Sequence, residues 1–180
     1  MPESLTINKG VSEGINRLLR SLIEEEKIAA AFLPVKINDE GLAYSLIADP
    51  ELLETAVPFH PWMPQNGGKQ LSRLTLLHPS PKPVAVVLRP CELRAFVELI
   101  KREQAARDNL ILISSTCGGV YPIDTLIDGG TEDRLSAYWK SLESAEIPPD
   151  ARDACRTCRH FVPYTADLTV SLIGNADLDQ

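Results

Sequence analysis

Positive charge is in short supply in this 180-residue chain: 18 lysines and arginines stand against 25 aspartates and glutamates, a net charge of −7. That balance disfavours a nucleic-acid partner, because phosphate recognition rests on a basic surface. It otherwise describes an ordinary acidic surface. No apolar run approaches the ~20 residues needed to cross a bilayer. The opening Met1-Pro2-Glu3-Ser4 lacks the basic start and apolar stretch of a secretory signal, so the expectation is a cytoplasmic protein. Gly-x-Ser-x-Gly, Walker and His-Glu-x-x-His motifs are missing, which leaves hydrolase and nucleotidase readings without support. No internal repeat is present. Cysteine is also scarce, at four residues. In a reducing compartment these are not read as two structural disulfides. They are small core residues, a redox pair or a metal site.

What is present reads as α/β. The length suits one domain over residues 1–180, with a conceivable division into an N-terminal α/β part (1–80) and a cysteine-bearing part (81–180). Val11, Ile15, Leu18, Leu19, Leu22 and Ile23 recur at helical spacing over residues 10–26, with Asn8 as the N-cap. Residues 28–35 and 44–47 read as strands, with turn composition at Asp39-Glu40-Gly41. Asp49-Pro50 starts a short helix. Residues 57–68 are irregular, punctuated by Pro58, Pro61, Pro64 and Gly67-Gly68, and a helix is expected from Lys69 to Leu77.

The centre is clearest. Val84-Ala85-Val86-Val87-Leu88 is a continuous apolar run, the mark of a strand buried on both faces of a parallel sheet. A helix carrying Leu93, Phe96, Val97, Leu99 and Ile100 follows, ending near Arg107, and then the strand Leu110-Ile111-Leu112-Ile113. Together they make a βαβ unit. A helix is expected over residues 132–142 and a last strand over 168–174. The fold class is therefore α/β, with a mixed, partly parallel sheet flanked by helices.

The cysteines fall where that topology matters. Cys91 and Cys117 each follow a strand of the βαβ unit, so parallel strands put both at the carboxyl edge of the sheet, where open α/β folds place ligands. Cys91 also opens a helix, whose dipole favours thiolate. Cys155 and Cys158 form Cys-x-x-Cys, a spacing that lets two sulfurs face one metal centre. Four thiolates suit tetrahedral zinc or an iron–sulfur cluster. Separate or dithiol roles and core filling remain the alternatives.

Val84 to Ala95 with its Arg89-Pro90-Cys91-Glu92-Leu93-Arg94, then Ile113-Ser114-Ser115-Thr116-Cys117-Gly118-Gly119, Cys155-Arg156-Thr157-Cys158, Ala166-Asp167-Leu168 and Gly174 together resemble the beta subunit family of coenzyme F420-reducing hydrogenases and dehydrogenases. The order and rough spacing match over most of the chain. The resemblance implies that Cys91, Cys117, Cys155 and Cys158 ligate a [4Fe-4S] cluster that passes electrons. It implies redox partners of the ferredoxin, flavoprotein or hydrogenase and dehydrogenase type, in anaerobic hydrogenase, formate dehydrogenase or heterodisulfide-reductase-like assemblies. Members with a flavin bind it beside the cluster, so FAD is the second cofactor to consider. The family's glycine pair before the first helix is here Asn8-Lys9-Gly10, and His160 stands where many relatives place an acid. The sequence ends six residues after Gly174, so a longer natural polypeptide continuing past Gln180 is also in view.

Asn8, Lys9 and Gly10, together with Arg89, Glu92 and Arg94 around Cys91, are the candidate cofactor contacts. The loop Asn66-Gly67-Gly68 is a second candidate for flavin, and both glycine loops also read as plain helix starts and turns. Glu92 and Arg94 are equally read as exposed charges in a first helical turn. Trp62 and Tyr121 either shield a cofactor or pack under loops, while His60 and His78 have no cysteine at ligand spacing. The readings in play are an electron-transfer subunit or domain with one cluster, a zinc-bound structural module, and a flavoenzyme that reduces a deazaflavin.

Overall fold

The computed structural model describes residues 10–38, 41–127 and 130–175. Its centre is a five-stranded sheet in the order β2-β1-β3-β4-β5. The strands are β1 (Ala30–Lys36), β2 (Leu42–Ile47), β3 (Val84–Val87), β4 (Leu110–Ser115) and β5 (Leu168–Val170). β2 lies antiparallel to β1 at one edge, and β1, β3, β4 and β5 run parallel. This is the mixed, partly parallel sheet that the sequence predicts, drawing strands from both sides of residue 80.

Alternation along the strands sorts the core into two layers. Ala31, Leu33, Val35, Ala85, Val87 and Ile113 face one way. They are covered by α1 (Val11–Glu24) and α4 (Thr131–Glu143), through Ile15 and Leu19 of the first and Tyr138 and Leu142 of the second. Phe32, Val84, Val86, Leu110 and Leu112 face the other way, against Leu71 of α2 (Gly67–Thr75) and Leu93 and Phe96 of α3 (Pro90–Lys101). Strands covered on both faces need apolar side chains at every position, which is why β3 reads as an unbroken run.

Several boundaries differ from the sequence reading. Helix α1 follows Gly10, and Asn8 lies outside the described residues. Helix α2 begins at Gly67, with the Asn66 side chain accepting from Lys69 N at 3.0 Å. Its glycines open the helix and also serve its packing. A Cβ on Gly68 would stand 2.3 Å from the Glu92 carbonyl oxygen of α3, so the two helices touch backbone to backbone. Helix α3 stops at Lys101, six residues short of Arg107. The expected strand over 168–174 keeps three residues, because Leu172 N and Ile173 N turn to the Thr116 hydroxyl at 2.8 and 3.2 Å instead of continuing the ladder. Among the described residues, no helix is long and apolar enough to cross a membrane.

Candidate functional site

Two strand ends build the site. β3 leads through Leu88 and Arg89 into α3, with Cys91 as its second residue, and β4 leads through Thr116 to Cys117. Because β3 and β4 are parallel neighbours in register at Val87 and Ile113, both cysteines leave the same edge of the sheet.

The tail closes on this edge through backbone bonds. Cys117 N donates to the Phe161 carbonyl at 3.0 Å, and Arg152 N donates to the Val120 carbonyl at 2.9 Å. The loop after β4 is therefore gripped from both sides of the Cys-x-x-Cys. Cys155 lies in the one-turn helix α5 (Asp153–Arg156), and Cys158 N donates to the Cys155 carbonyl at 3.1 Å. Gly119 adopts φ +100°, and a Cβ there would meet Cys155 Cβ at 3.0 Å and its Sγ at 3.8 Å. Glycine is thus required both by the backbone and by the approach of Cys155. From the other side, Arg94 of α3 donates to the His160 carbonyl at 2.6 Å, tying the helix that carries Cys91 to the residue two beyond Cys158.

All four cysteines are free thiols; Cys91 is exposed and the other three are half-buried. Backbone N–H groups point at two of the sulfurs, Gly119 N at Cys117 Sγ and His160 N at Cys158 Sγ, each at 3.4 Å. The expectation that the helix dipole makes Cys91 a ready thiolate is not met. Burial on its inner side, then Glu92 and Cys117, push that thiol up. Cys155 is raised as well, by burial first and by Cys117 among its neighbours. Among the described residues no three His, Cys, Asp or Glu side chains form a group that could hold a single metal ion. The loops gather the cysteines without presenting a ready one-ion cage.

Arg89 and Glu92 are both buried, which for Glu92 overturns the exposed-charge reading. Glu92 is fully buried. Its carboxylate accepts from Tyr44 Oη and Gly67 N, both at 2.7 Å, and from Arg89 N at 2.9 Å. That one side chain fastens β2, the start of α2 and the turn before Cys91. Arg89 is 4% exposed, and its guanidinium donates to the Phe59 carbonyl at 2.6 Å, to the His60 carbonyl, and to Tyr138 Oη and Cys117 Sγ at 3.5 Å. Arg94 remains exposed.

Of the other sequence candidates, Asn8 and Lys9 lie outside the described residues, and Gly10 is the residue that precedes α1. Asn66-Gly67-Gly68 serves the α2–α3 contact. Trp62 and Tyr121 pack together within the core, their rings tilted by 45° with centroids 5.1 Å apart. Sequence reading missed Tyr138, Tyr44 and Gly119 as parts of the site. Only Gly119 carried a signal, in the Gly-Gly that follows Cys117. An apolar groove of about 460 Å³ runs beside the site, lined by Leu93, Arg94, Val97, Val162 and Tyr164.

No family model matches the chain. It is 26% identical over 181 residues to F420-dependent formate dehydrogenase subunit beta of Methanocaldococcus jannaschii, covering 86% of this chain and 46% of that protein. It is 44% identical over 45 residues to F420-dependent formate dehydrogenase 1 subunit beta of Methanococcus maripaludis, covering 25% of this chain and 12% of that protein. The chain thus spans less than half the length of either relative.

Proposed function

We propose that this chain is an electron-transfer subunit or domain that holds one [4Fe-4S] cluster on Cys91, Cys117, Cys155 and Cys158 and works beside other redox subunits. The observation that carries the reading is the convergence of two parallel strand ends and the Cys-x-x-Cys tail at one sheet edge. The reading is supported by four free thiols, backbone N–H groups directed at Cys117 and Cys158 sulfur, and a buried guanidinium beside Cys117. Such a cluster takes up and releases single electrons, at a potential that hydrogen bonds to its sulfurs adjust.

The residues of the chain have separate duties. Gly119 and His160 hold sulfurs through their N–H groups. Glu92 fixes the turn that presents Cys91. Arg94 keeps the Cys-x-x-Cys tail closed on α3. The names of the two relatives, beta subunits of F420-dependent formate dehydrogenases, support a place in a multi-subunit enzyme of that type.

Anaerobic purification tests this. The expected protein is brown, is bleached by dithionite, and carries iron and sulfide at about four each per chain. Cys117→Ser removes the colour. Colourless protein with one zinc would sink the cluster assignment in favour of a structural zinc module. Flavin fluorescence in an acid extract would add FAD to the chain.

A further inference from the structure

Arg89 and Glu92 stand three residues apart in the turn that carries Cys91, yet their side chains part to opposite faces of the sheet. Glu92 turns toward Tyr44, which packs with the α2–α3 layer, and is saturated by three donors there. Arg89 turns toward the α1–α4 layer, where it meets Phe59 O, His60 O, Tyr138 and Cys117. The hydrogen-bond partners of the Arg89 guanidinium are two carbonyls, a hydroxyl and a sulfur, and the Glu92 carboxyl acts on it only through space. A guanidinium is always charged, and burying it without a hydrogen-bonded anion is costly. Of the groups it touches, Cys117 is the one proposed to hold the cluster.

We infer that Arg89 is a fixed internal cation that raises the reduction potential of the centre held by Cys117. This inference rests on the proposed cluster. A reduced cluster carries one more negative charge than the oxidised one, so a buried cation at the sulfur of one ligand favours the reduced form. The site is screened from salt by its burial, and Coulomb attraction there is far stronger than at the surface. The carbonyls of Phe59 and His60 hold the fork in place, so the charge cannot swing out to solvent when the electron leaves. Arg89 is a positioning residue acting through Cys117, and it stays protonated throughout.

The test is an anaerobic redox titration of the wild type, Arg89→Lys, Arg89→Gln and Arg89→Met, followed by visible absorption, with iron and sulfide measured on each. If the wild type holds no iron and sulfide, the cluster reading fails before any variant is compared. If it does, the neutral variants that retain iron and sulfide are expected to titrate at a more negative potential. The reduced-to-oxidised ratio at a fixed poise should fall at least tenfold, about 59 mV for a one-electron couple. Arg89→Lys, which keeps the charge, should stay within threefold of the wild type. An unchanged midpoint in Arg89→Gln or Arg89→Met with the cluster intact would overturn the inference. So would a shift in Arg89→Lys as large as theirs. Loss of the cluster from both neutral variants would make Arg89 a scaffold residue only and overturn it equally.

Discussion

Replacing Glu92 by glutamine changes one oxygen for one NH₂ in a fully buried site, and the cost can be worked from its partners. Tyr44 Oη approaches both carboxylate oxygens at 2.7 Å, Gly67 N meets one at 2.7 Å, and Arg89 N meets the other at 2.9 Å. A glutamine keeps one acceptor. With its oxygen toward Gly67, its NH₂ faces the Arg89 N–H, donor against donor. The tyrosine hydroxyl can rotate and accept, but the amide of Arg89 cannot. A buried donor left unpaired costs about 1–3 kcal/mol, and the lost charge assistance at Gly67 adds to it. Relief of carboxylate desolvation outweighs the lost charge assistance, which leaves a net loss of about 1–2 kcal/mol.

In a chain of 180 residues that loss lowers the melting temperature by about 2–8 °C. Thermal unfolding followed by circular dichroism, at mildly alkaline pH, reads it directly. Glu92→Ala, which strands three donors, should cost more. The pH dependence supplies a second check. Burial, outweighing the three hydrogen bonds, raises the Glu92 pKa above the usual 4.5. Its folded value exceeds its unfolded one, so its contribution is full at low pH and declines as pH rises from the ordinary carboxylate value through the raised one. The glutamine variant lacks that decline. A melting temperature within about 1 °C of wild type would refute the idea that three converging donors need a carboxylate here.

Gly68→Ala should destabilise the fold by about 1–3 kcal/mol through overpacking, read by urea unfolding, because the added Cβ meets the backbone of α3 at 2.3 Å. Gly119→Ala should cost about 1–3 kcal/mol of backbone strain and lower the iron content, since φ is +100° and Cys155 Cβ is 3.0 Å away. His60 is held near a pKa of about 3 by burial, then by Lys36 and Arg89, against an ordinary 6.5. The unfolded chain therefore binds the extra proton, and stability is lost as pH falls below the ordinary value, by about 2 kcal/mol at about pH 5. His60→Gln should remove most of that acid sensitivity in urea titrations at about pH 7.5 and about pH 5.

Local chemistry explains what could be read from the sequence. A strand buried on both faces must be apolar at every position, so β3 and β4 announce themselves, and parallel pairing across α3 follows from chain connectivity. The same logic places Cys91 and Cys117 at one edge before any coordinates exist. The Cys-x-x-Cys is legible because its spacing is local. The glycines of α2 were read as a helix start, which they are, but a helix start and a helix–helix contact use the same residue. Its second meaning appears only when α3 lies against it. Asp167 is similar: its backbone N donates to the Leu112 carbonyl and its carboxylate accepts from Leu112 N, each at 2.8 Å. Those two bonds pin β5 to β4 across 55 positions of chain.

By itself, the sequence determined the α/β class, the βαβ unit and the meeting of two cysteines at a strand edge, since each depends on residues near one another in the chain. Only the tertiary structure decided which charges are buried and what they face. Arg89 reaches the carbonyls of Phe59 and His60 thirty and twenty-nine positions away, and Glu92 reaches Tyr44 across forty-eight. A charged residue in a first helical turn looks the same whether solvent or another helix covers it. Desolvation, which sets its energy and its effect on a neighbouring sulfur, is a property of the assembled layers and not of any local segment.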